Sequence, residues 1–306
     1  MTQRHRYAKL VVVGVGLIGG SFALALRDRF AAIVGVGRTQ ANLDAAHARK
    51  AIDRGVTLAH DWAREAADAD VVLLATPVAQ YPGLLATLAT HVGARTVVTD
   101  AGSTKRDVAA ALRAALPTHL ARCVPAHPIA GSEHSGAQAA DASLFRDRHV
   151  IVTPLAESDP AALALVASLW QAAGARVSTL TPERHDRLLA AVSHLPHLLA
   201  FAFVDELVQR DDARELLSHA GSGFRDFTRI AASSPEMWRD IALANRDALH
   251  DELAAYRAAL DRMLAALESG DAAALEDLFA RASAARKAWA ASSSYPRGGL
   301  PGEDDA

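Results

Sequence analysis

The string Gly14-Val15-Gly16-Leu17-Ile18-Gly19-Gly20-Ser21 follows directly on the β-branched run Lys9 to Val13 and opens a helical pattern. No other feature constrains the fold as strongly. At a strand-to-helix turn, Gly14 permits the tight turn, Gly16 lets the backbone approach a diphosphate, and Gly19 lets helix and strand pack closely. The diphosphate then sits on the helix N-terminus, where the backbone of Leu17 and Ile18 faces it. A turn that only needed small residues would show the same letters, but the βαβ setting argues for a dinucleotide site.

That setting comes from the next hundred residues. Strand candidates at Lys9–Val13, Ala32–Val36, Val71–Ala75 and Thr96–Asp100 alternate with helical patterns at 19–29, 40–54, 79–91 and 105–116. Shorter strand runs follow at 123–126 and 149–153. Near-continuous apolar strands separated by crossover helices predict a parallel sheet covered on both faces. Beyond Pro154 come a helix at 160–173 and a last short strand at 176–180, and then almost only helix. The expected organisation is an α/β Rossmann-type dinucleotide-binding domain over 1–180, an all-helical substrate and dimerisation domain over 181–291, and a disordered tail over 292–306. The run 183–210 is longer than the usual ~10–14 residues of a globular helix, which suits a helix that crosses a domain boundary or packs on a second subunit.

Composition narrows the function classes. With 32 basic and 35 acidic residues the formal charge is -3, so no net positive field draws in nucleic acid or an anionic membrane. A single cysteine makes no intramolecular disulfide and no zinc site of its own. The N-terminus shows no signal-peptide pattern, and a cytoplasmic protein that is neither membrane-bound nor bound to nucleic acid is expected.

Cofactor choice is written at the end of the second strand, which reads Gly35-Val36-Gly37-Arg38-Thr39-Gln40. Selectivity for NAD usually rests on an acid there that accepts from the ribose 2′-hydroxyl, and none is present. Arg38 and Thr39 are suited to a 2′-phosphate instead, so NADP is favoured with NAD possible. The competing reading makes Arg38 a solvated surface residue. Thr76-Pro77, at the end of the third strand candidate, is placed to wall the nicotinamide-ribose pocket.

Several polar strings resist a packing explanation. In Thr99-Asp100-Ala101-Gly102-Ser103-Thr104-Lys105, Ser103 either caps the next helix or points into the cleft. His127, beside Pro128 and ahead of the loop Gly131-Ser132-Glu133-His134-Ser135-Gly136, has the fixed backbone and cleft access that a general base needs. Ser193-His194-Leu195-Pro196-His197 puts two histidines on one helical face, a possible metal half-site, yet no HExxH or cysteine cluster accompanies it and no metal is expected. Further on, Asp226 and Arg229 are spaced for a mutual contact that would orient the arginine toward an anion, ahead of Trp238.

Taken together, GVGLIGGS, TDAGSTK, HPIAGSEHSG, HD…SHLPH and GFRDFTRIA…MWRDI resemble the prephenate and arogenate (cyclohexadienyl) dehydrogenases of tyrosine biosynthesis, in uninterrupted order from Leu10 to Leu249. The resemblance implies oxidative decarboxylation of prephenate to 4-hydroxyphenylpyruvate, or of arogenate to tyrosine, with hydride passing to NAD(P)+. It makes His127 the acceptor of the ring C4 hydroxyl proton, Ser103 the residue that orients His127 and the nicotinamide side, and Arg229 the partner of the substrate carboxylate. His197, with His194, becomes a substrate-binding histidine, and Ser132, Glu133, Asp226 and Trp238 fall in the substrate pocket. A homodimer formed through the helical half is also implied. Two alternatives stand beside this reading: another dehydrogenase of the 6-phosphogluconate-like class, and an inert NADP-binding sensor on the same scaffold. The first would need its catalytic lysine or histidine–acid pair in the helical half, and retention of His127, Ser103 and Arg229 speaks against the second.

Overall fold

The computed structural model describes residues 6–131, 134 and 136–292. Of the expected tail, all but Ser292 lies outside these residues, as do Ser132 and Glu133. Two compact units are present, Met1–Leu249 and His250–Ala306.

The first unit is built on strands β1 (Tyr7–Val13), β2 (Phe30–Gly37), β3 (Arg54–Thr57), β4 (Val71–Leu74), β5 (Val97–Asp100) and β6 (Cys123–Val124). They form one parallel sheet in the order β3-β2-β1-β4-β5-β6. In the central β1, Leu10 and Val12 join the core on one face while Val11 and Val13 join the core on the other, all four with no exposure. Two covered faces explain why the strand is apolar without alternation. Helices α1 (Leu17–Ala25), α2 (Gln40–Ala48), α3 (Tyr81–Leu88), α4 (Arg106–Ala115) and, after the second sheet begins, α5 (Pro160–Ala172) cover the strands. The chain runs outward through β2 and β3, then crosses back to β4 on the other side of β1. That reversal opens a crevice at the carboxyl ends of β1 and β4, where sheets of this kind bind ligands.

Two expected elements differ. The helix at 40–54 stops at Ala48, because Lys50 adopts φ 60 and ends it, and Arg54–Thr57 becomes the edge strand β3. The run 123–126 breaks at Pro125, which has no amide to donate to a ladder. After it, β7 (Ala126–Ile129) leaves the parallel sheet and pairs antiparallel with β8 (His149–Val152), which pairs in parallel with β9 (Arg176–Thr179).

From Pro182 onward the described elements are helical. The long expected helix is present as α6 (Pro182–Leu189) and α7 (Leu195–Val208), joined by a π turn over Ala190–His194. Pro196 has no amide to return to the Val192 carbonyl, and the helix widens directly before it. By length and composition Pro182–Val208 is apolar enough to cross a membrane. Within it His185, Asp186, Ala190, His194, Leu195 and Ala200 are buried in the unit, while Phe203 and Val208 are exposed. The helices α8 (Ala213–Ser218), α9 (Ser222–Thr228) and α10 (Pro235–Ala244) follow, then α11 (Arg246–Ser269), whose first turn packs Leu249 with Ala190 and Leu195.

The second unit contains the remainder of α11 and α12 (Ala272–Ser292), joined at Gly270 with φ +66. Asp271 Oδ1 accepts from the Ala274 amide at 2.9 Å and caps α12.

Candidate active site

The glycine turn is shaped by contact. Gly14 has φ +97, and a Cβ there would lie 2.6 Å from the Ala75 carbonyl oxygen; one on Gly19 would collide with the Gly14 carbonyl oxygen. A Cβ on Gly16 would meet nothing within 4 Å, so the space before the α1 N-terminus is open. Open space in front of first-turn amides at Leu17 and Ile18 fits a dinucleotide diphosphate. Thr76, at the end of β4, has a buried Oγ1 with no partner, on the same crevice edge, and Pro77 follows it exposed. Arg38 and Thr39 are both exposed, and Thr39 caps α2 by accepting from the Asn42 amide at 3.4 Å. The sequence gives no hint of Asn42: its Nδ2 donates to the Val15 carbonyl at 2.7 Å and its Oδ1 accepts from the Ala137 amide at 3.0 Å, tying the glycine turn to the segment that starts at Ala137.

Beside the crevice lies a buried polar network. Lys105 has no exposure; its Nζ donates to Asp100 Oδ2 at 2.5 Å and to the Ala126 carbonyl at 2.8 Å. Asp100 also accepts from the amides of Ala126 at 3.0 Å and Gly102 at 2.7 Å. The Tyr81 hydroxyl lies 3.0 Å from the Leu74 carbonyl oxygen and 3.2 Å from Asp100 Oδ2. Burial, then the Asp100 charge, pushes the Tyr81 phenol well above its ordinary value, so it stays a donor. Both backbone groups of Ala126 are therefore fixed, and His127 follows next in β7.

His127 Nδ1 lies 2.9 Å from His185 Nε2, and His185 Nδ1 lies 2.8 Å from Asp186 Oδ1. Asp186 also accepts from the amides of Lys105 at 2.8 Å and Arg106 at 2.9 Å, at the N-terminus of α4. Burial holds the His127 imidazole well below its ordinary value, and His185, Lys105 and His194 add to the shift. His185 is lowered chiefly by burial as well, while Asp186 is lowered despite burial because His185 and the two amides bond its carboxylate. His127 keeps 8 % exposure where His185 keeps none, so it is the outer member of the pair.

Asn245 extends the network. Its Nδ2 donates to the Asp186 carbonyl at 2.8 Å and lies 3.1 Å from His194 Nδ1. Burial pushes His194 down to about 4, and its Nε2 is buried without a partner. Trp238 stacks on His197 at 3.7 Å between ring centroids, and its own buried Nε1 is also unpartnered. His197 is lowered mainly by burial, with the Arg229 charge contributing.

Two local expectations differ, and one open alternative is decided. Asp226 and Arg229 form no ion pair among the described residues, although the chain stays helical through Arg229 as α9 passes into a 3-10 turn over Arg229–Ala232, and both side chains are exposed. The α4 amides are capped by Asp186 and not by Ser103. Ser103 stands half-buried at the end of β5 without a hydrogen bond to His127, whose Nδ1 is taken by His185. Among the described residues no group of three or more metal-binding side chains is assembled.

The sequence matches the prephenate dehydrogenase nucleotide-binding domain over residues 22–179 and the prephenate dehydrogenase dimerization domain over residues 181–281. The chain belongs to the prephenate/arogenate dehydrogenase family. It is 33% identical to a cyclohexadienyl dehydrogenase of Zymomonas mobilis over 92% of this chain and 96% of that protein. It is 35% identical to a prephenate dehydrogenase of Bacillus subtilis over 88% of this chain and 72% of that one. A crystal structure of prephenate dehydrogenase from Aquifex aeolicus, in complex with hydroxyphenyl propionate and NAD+, superimposes with a TM-score of 0.84 at 32% identity, covering 92% of this chain and 98% of that chain. As a prephenate/arogenate dehydrogenase the chain is an oxidoreductase that transfers hydride to NAD(P)+, in a family whose members are typically dimeric.

Asp100 and Lys105, within TDAGSTK, and His185 and Asp186, the HD of HD…SHLPH, carry no role in the sequence of this dehydrogenase, and Asn245 falls outside every string. The pair His185-Asp186 sits in α6, PERHDRLL, whose charge density reads as a solvated face. Only contact with α4 reveals that Asp186 is a buried cap.

Proposed function

We propose that this dehydrogenase acts on prephenate or arogenate with His127 as the base and Arg229 as the partner of a substrate carboxylate. The carrying observation is His127, whose imidazole burial holds well below its ordinary value, with Nδ1 engaged by His185 and the residue the outer, less buried member of the pair. Nicotinamide, when bound, supplies the hydride acceptor. The first-turn backbone of α1 holds the diphosphate, and Thr76 and Pro77 wall the ribose. Ser103 serves the nicotinamide side. His127 takes the C4 hydroxyl proton as the carbon is oxidised, and Arg229, exposed and outside every ion pair among the described residues, holds the anion in register. His194, His197, Asp226 and Trp238 line the substrate side, and Ser132 and Glu133 belong to the same pocket by resemblance.

The cofactor is NADP+ in preference to NAD+. Arg38 is exposed, Thr39 keeps its hydroxyl proton for donation, and the nearest acid, Asp44, accepts from Gln40 at 2.8 Å. A partly solvated charge-assisted contact of about 1–2 kcal/mol gives roughly 5- to 30-fold discrimination. Steady-state kinetics of both substrates against both cofactors checks the reading. Turnover of at least one substrate is expected, with NADP+ ahead by that factor, and Arg38→Ala should erase the preference while leaving NAD+ nearly untouched. No turnover of either substrate would end the assignment, and higher kcat/KM with NAD+ would return Arg38 to the surface.

The active assembly is a homodimer through the helical half. Leu253, Tyr256, Leu260, Leu264 and Leu267 recur every three or four residues along α11, each more than a third exposed. An apolar stripe of that period suits a partner helix, and an obligate interface buries about 2,000 Å² or more. Sedimentation at low micromolar concentration should give twice the 32.2 kDa chain mass. A species at the chain mass alone would remove the dimer.

A further inference from the structure

We propose that His185 and Asp186 are positioning residues that fix the tautomer of His127 and take up, for part of the cycle, the proton His127 removes from the substrate. The proposal rests on the reading of His127 as the base and adds the machinery behind it.

The direction of each hydrogen bond follows from its ends. Asp186 is a carboxylate that can only accept, and it already accepts two amides at the N-terminus of α4, where the helix dipole also favours the anion. His185 Nδ1 therefore carries the proton of the 2.8 Å contact. A neutral His185 then has a lone pair on Nε2, so across the 2.9 Å contact His127 must donate from Nδ1. The lone pair of His127 is left on Nε2, the nitrogen not engaged by His185. Reversing any link would set two N–H groups, or two lone pairs, against each other in a buried site.

The surrounding charges agree. His127 faces His185, Lys105 and His194, and His185 faces Asp186, Lys105 and Asp100. Lys105 and Asp100 are paired with one another, so Asp186 is the negative charge left to answer a positive one. When the substrate O–H bond breaks, its proton goes to His127 Nε2. The Nδ1 proton can then pass to His185 Nε2, which places the cation directly against Asp186.

The reaction's own balance suits a closed wire. C4–H leaves with its electron pair as hydride to the nicotinamide, and C4=O forms. The bond to the carboxylate breaks next, CO2 departs, and the freed pair makes the ring aromatic while the oxygen at C4 regains a proton. The substrate thus loses a hydride and CO2 but no net proton, so the proton is lent and returned. A relay ending in groups with 0 and 1 % exposure needs no outlet to solvent.

The test reads the tautomer directly and needs no substrate. Histidine-selective 15N NMR of the whole protein, with His127 assigned by loss of its signals in His127→Asn, should show Nδ1 protonated and Nε2 bare. In Asp186→Asn the anion that fixes the His185 Nδ1 proton is gone, the amide can present either its oxygen or its nitrogen to His185, and His127 should no longer be held in one tautomer, with the Nε2–H form appearing. With saturating substrate, kcat should fall by about 10²- to 10⁴-fold, the range of positioned proton transfer, while KM stays within a few-fold. Should Asp186→Asn fail to fold, His185→Gln provides the second variant, with a mixture of His127 tautomers and a reduced kcat expected. An Nε2–H tautomer in the unaltered protein overturns the proposal, as does a folded Asp186→Asn with unchanged kcat. Failure of the base assignment is a separate outcome, in which His127→Asn keeps its activity while the tautomer is still as stated.

Discussion

Replacing His127 by Asn is expected to lower kcat by about 10²-fold or more, with little change in the cofactor dissociation constant. Asn is the informative choice because its amide can still donate toward His185 Nε2, the bond that Nδ1 makes now at 2.9 Å. The buried pair His185–Asp186 then keeps its partners and the fold is retained, so the loss reads on proton transfer alone. Burial keeps the native imidazole neutral at pH values where an exposed histidine would be protonated, so the native kcat should persist into acid further than an ordinary histidine allows. Its decline on acidification marks protonation of the base, and the residual activity of His127→Asn should lack that limb. Arg229→Ala in the same assay supplies the contrast: loss of one charge-assisted partner of the anion, about 1.5–3 kcal/mol, raises KM by roughly 10- to 100-fold. A folded His127→Asn that turns over at the native rate would remove His127 from the chemistry.

The readable part of the molecule is the part whose signal is local. The glycine string sits within one turn, so its spacing alone placed the α1 N-terminus and the crevice, and Gly14 has the positive φ that its position in the turn demands. His127 stands out as a candidate in eleven consecutive letters with Pro128 and a polar string behind it, but the chain places it second in β7, with Pro128 paired in the ladder, and not at the end of a strand. What stayed hidden depends on pairs far apart in the chain. Asp186 caps α4 from 80 residues away, and Asn245 reaches Asp186 and His194 across 59 and 51 residues. Neither contact leaves a periodic trace, since a buried carboxylate that serves as a cap looks in sequence like any charged helix position. The parallel sheet was legible from its apolar strands, but the departure of β7 hinges on Pro125, a single residue whose effect needs the neighbouring strand to be seen. Asp226 and Arg229 show the opposite case: three-residue spacing on a helical segment permits a contact, but both side chains are exposed and do not pair, which spacing alone does not reveal.

Lys105→Met is expected to cost about 3–5 kcal/mol of folding stability, the scale of breaking a buried ion pair by removing one partner. The side chain has no exposure and its two bonds do separate work. One answers Asp100, whose carboxylate would otherwise remain buried as an uncompensated charge; the other holds the Ala126 carbonyl. Methionine matches the stem in volume but leaves both acceptors short of a donor, so packing is conserved and the electrostatic loss dominates. Asp100 still has the amides of Gly102 and Ala126, which is why the loss should stay in this range and not approach the idealised cost of a bare buried ion. Urea unfolding reads the effect as a lower midpoint at unchanged slope. Adding Asp100→Asn to Lys105→Met removes the stranded charge while its carbonyl still accepts from one amide, so the double variant should recover part of the loss. Both variants should also lower kcat, because Ala126 fixes where β7 presents His127. Stability within about 1 kcal/mol of the native protein in the single variant would mean that the pair is not what secures the start of β7, and an unchanged kcat beside a large stability loss would show that His127 is held by His185 alone.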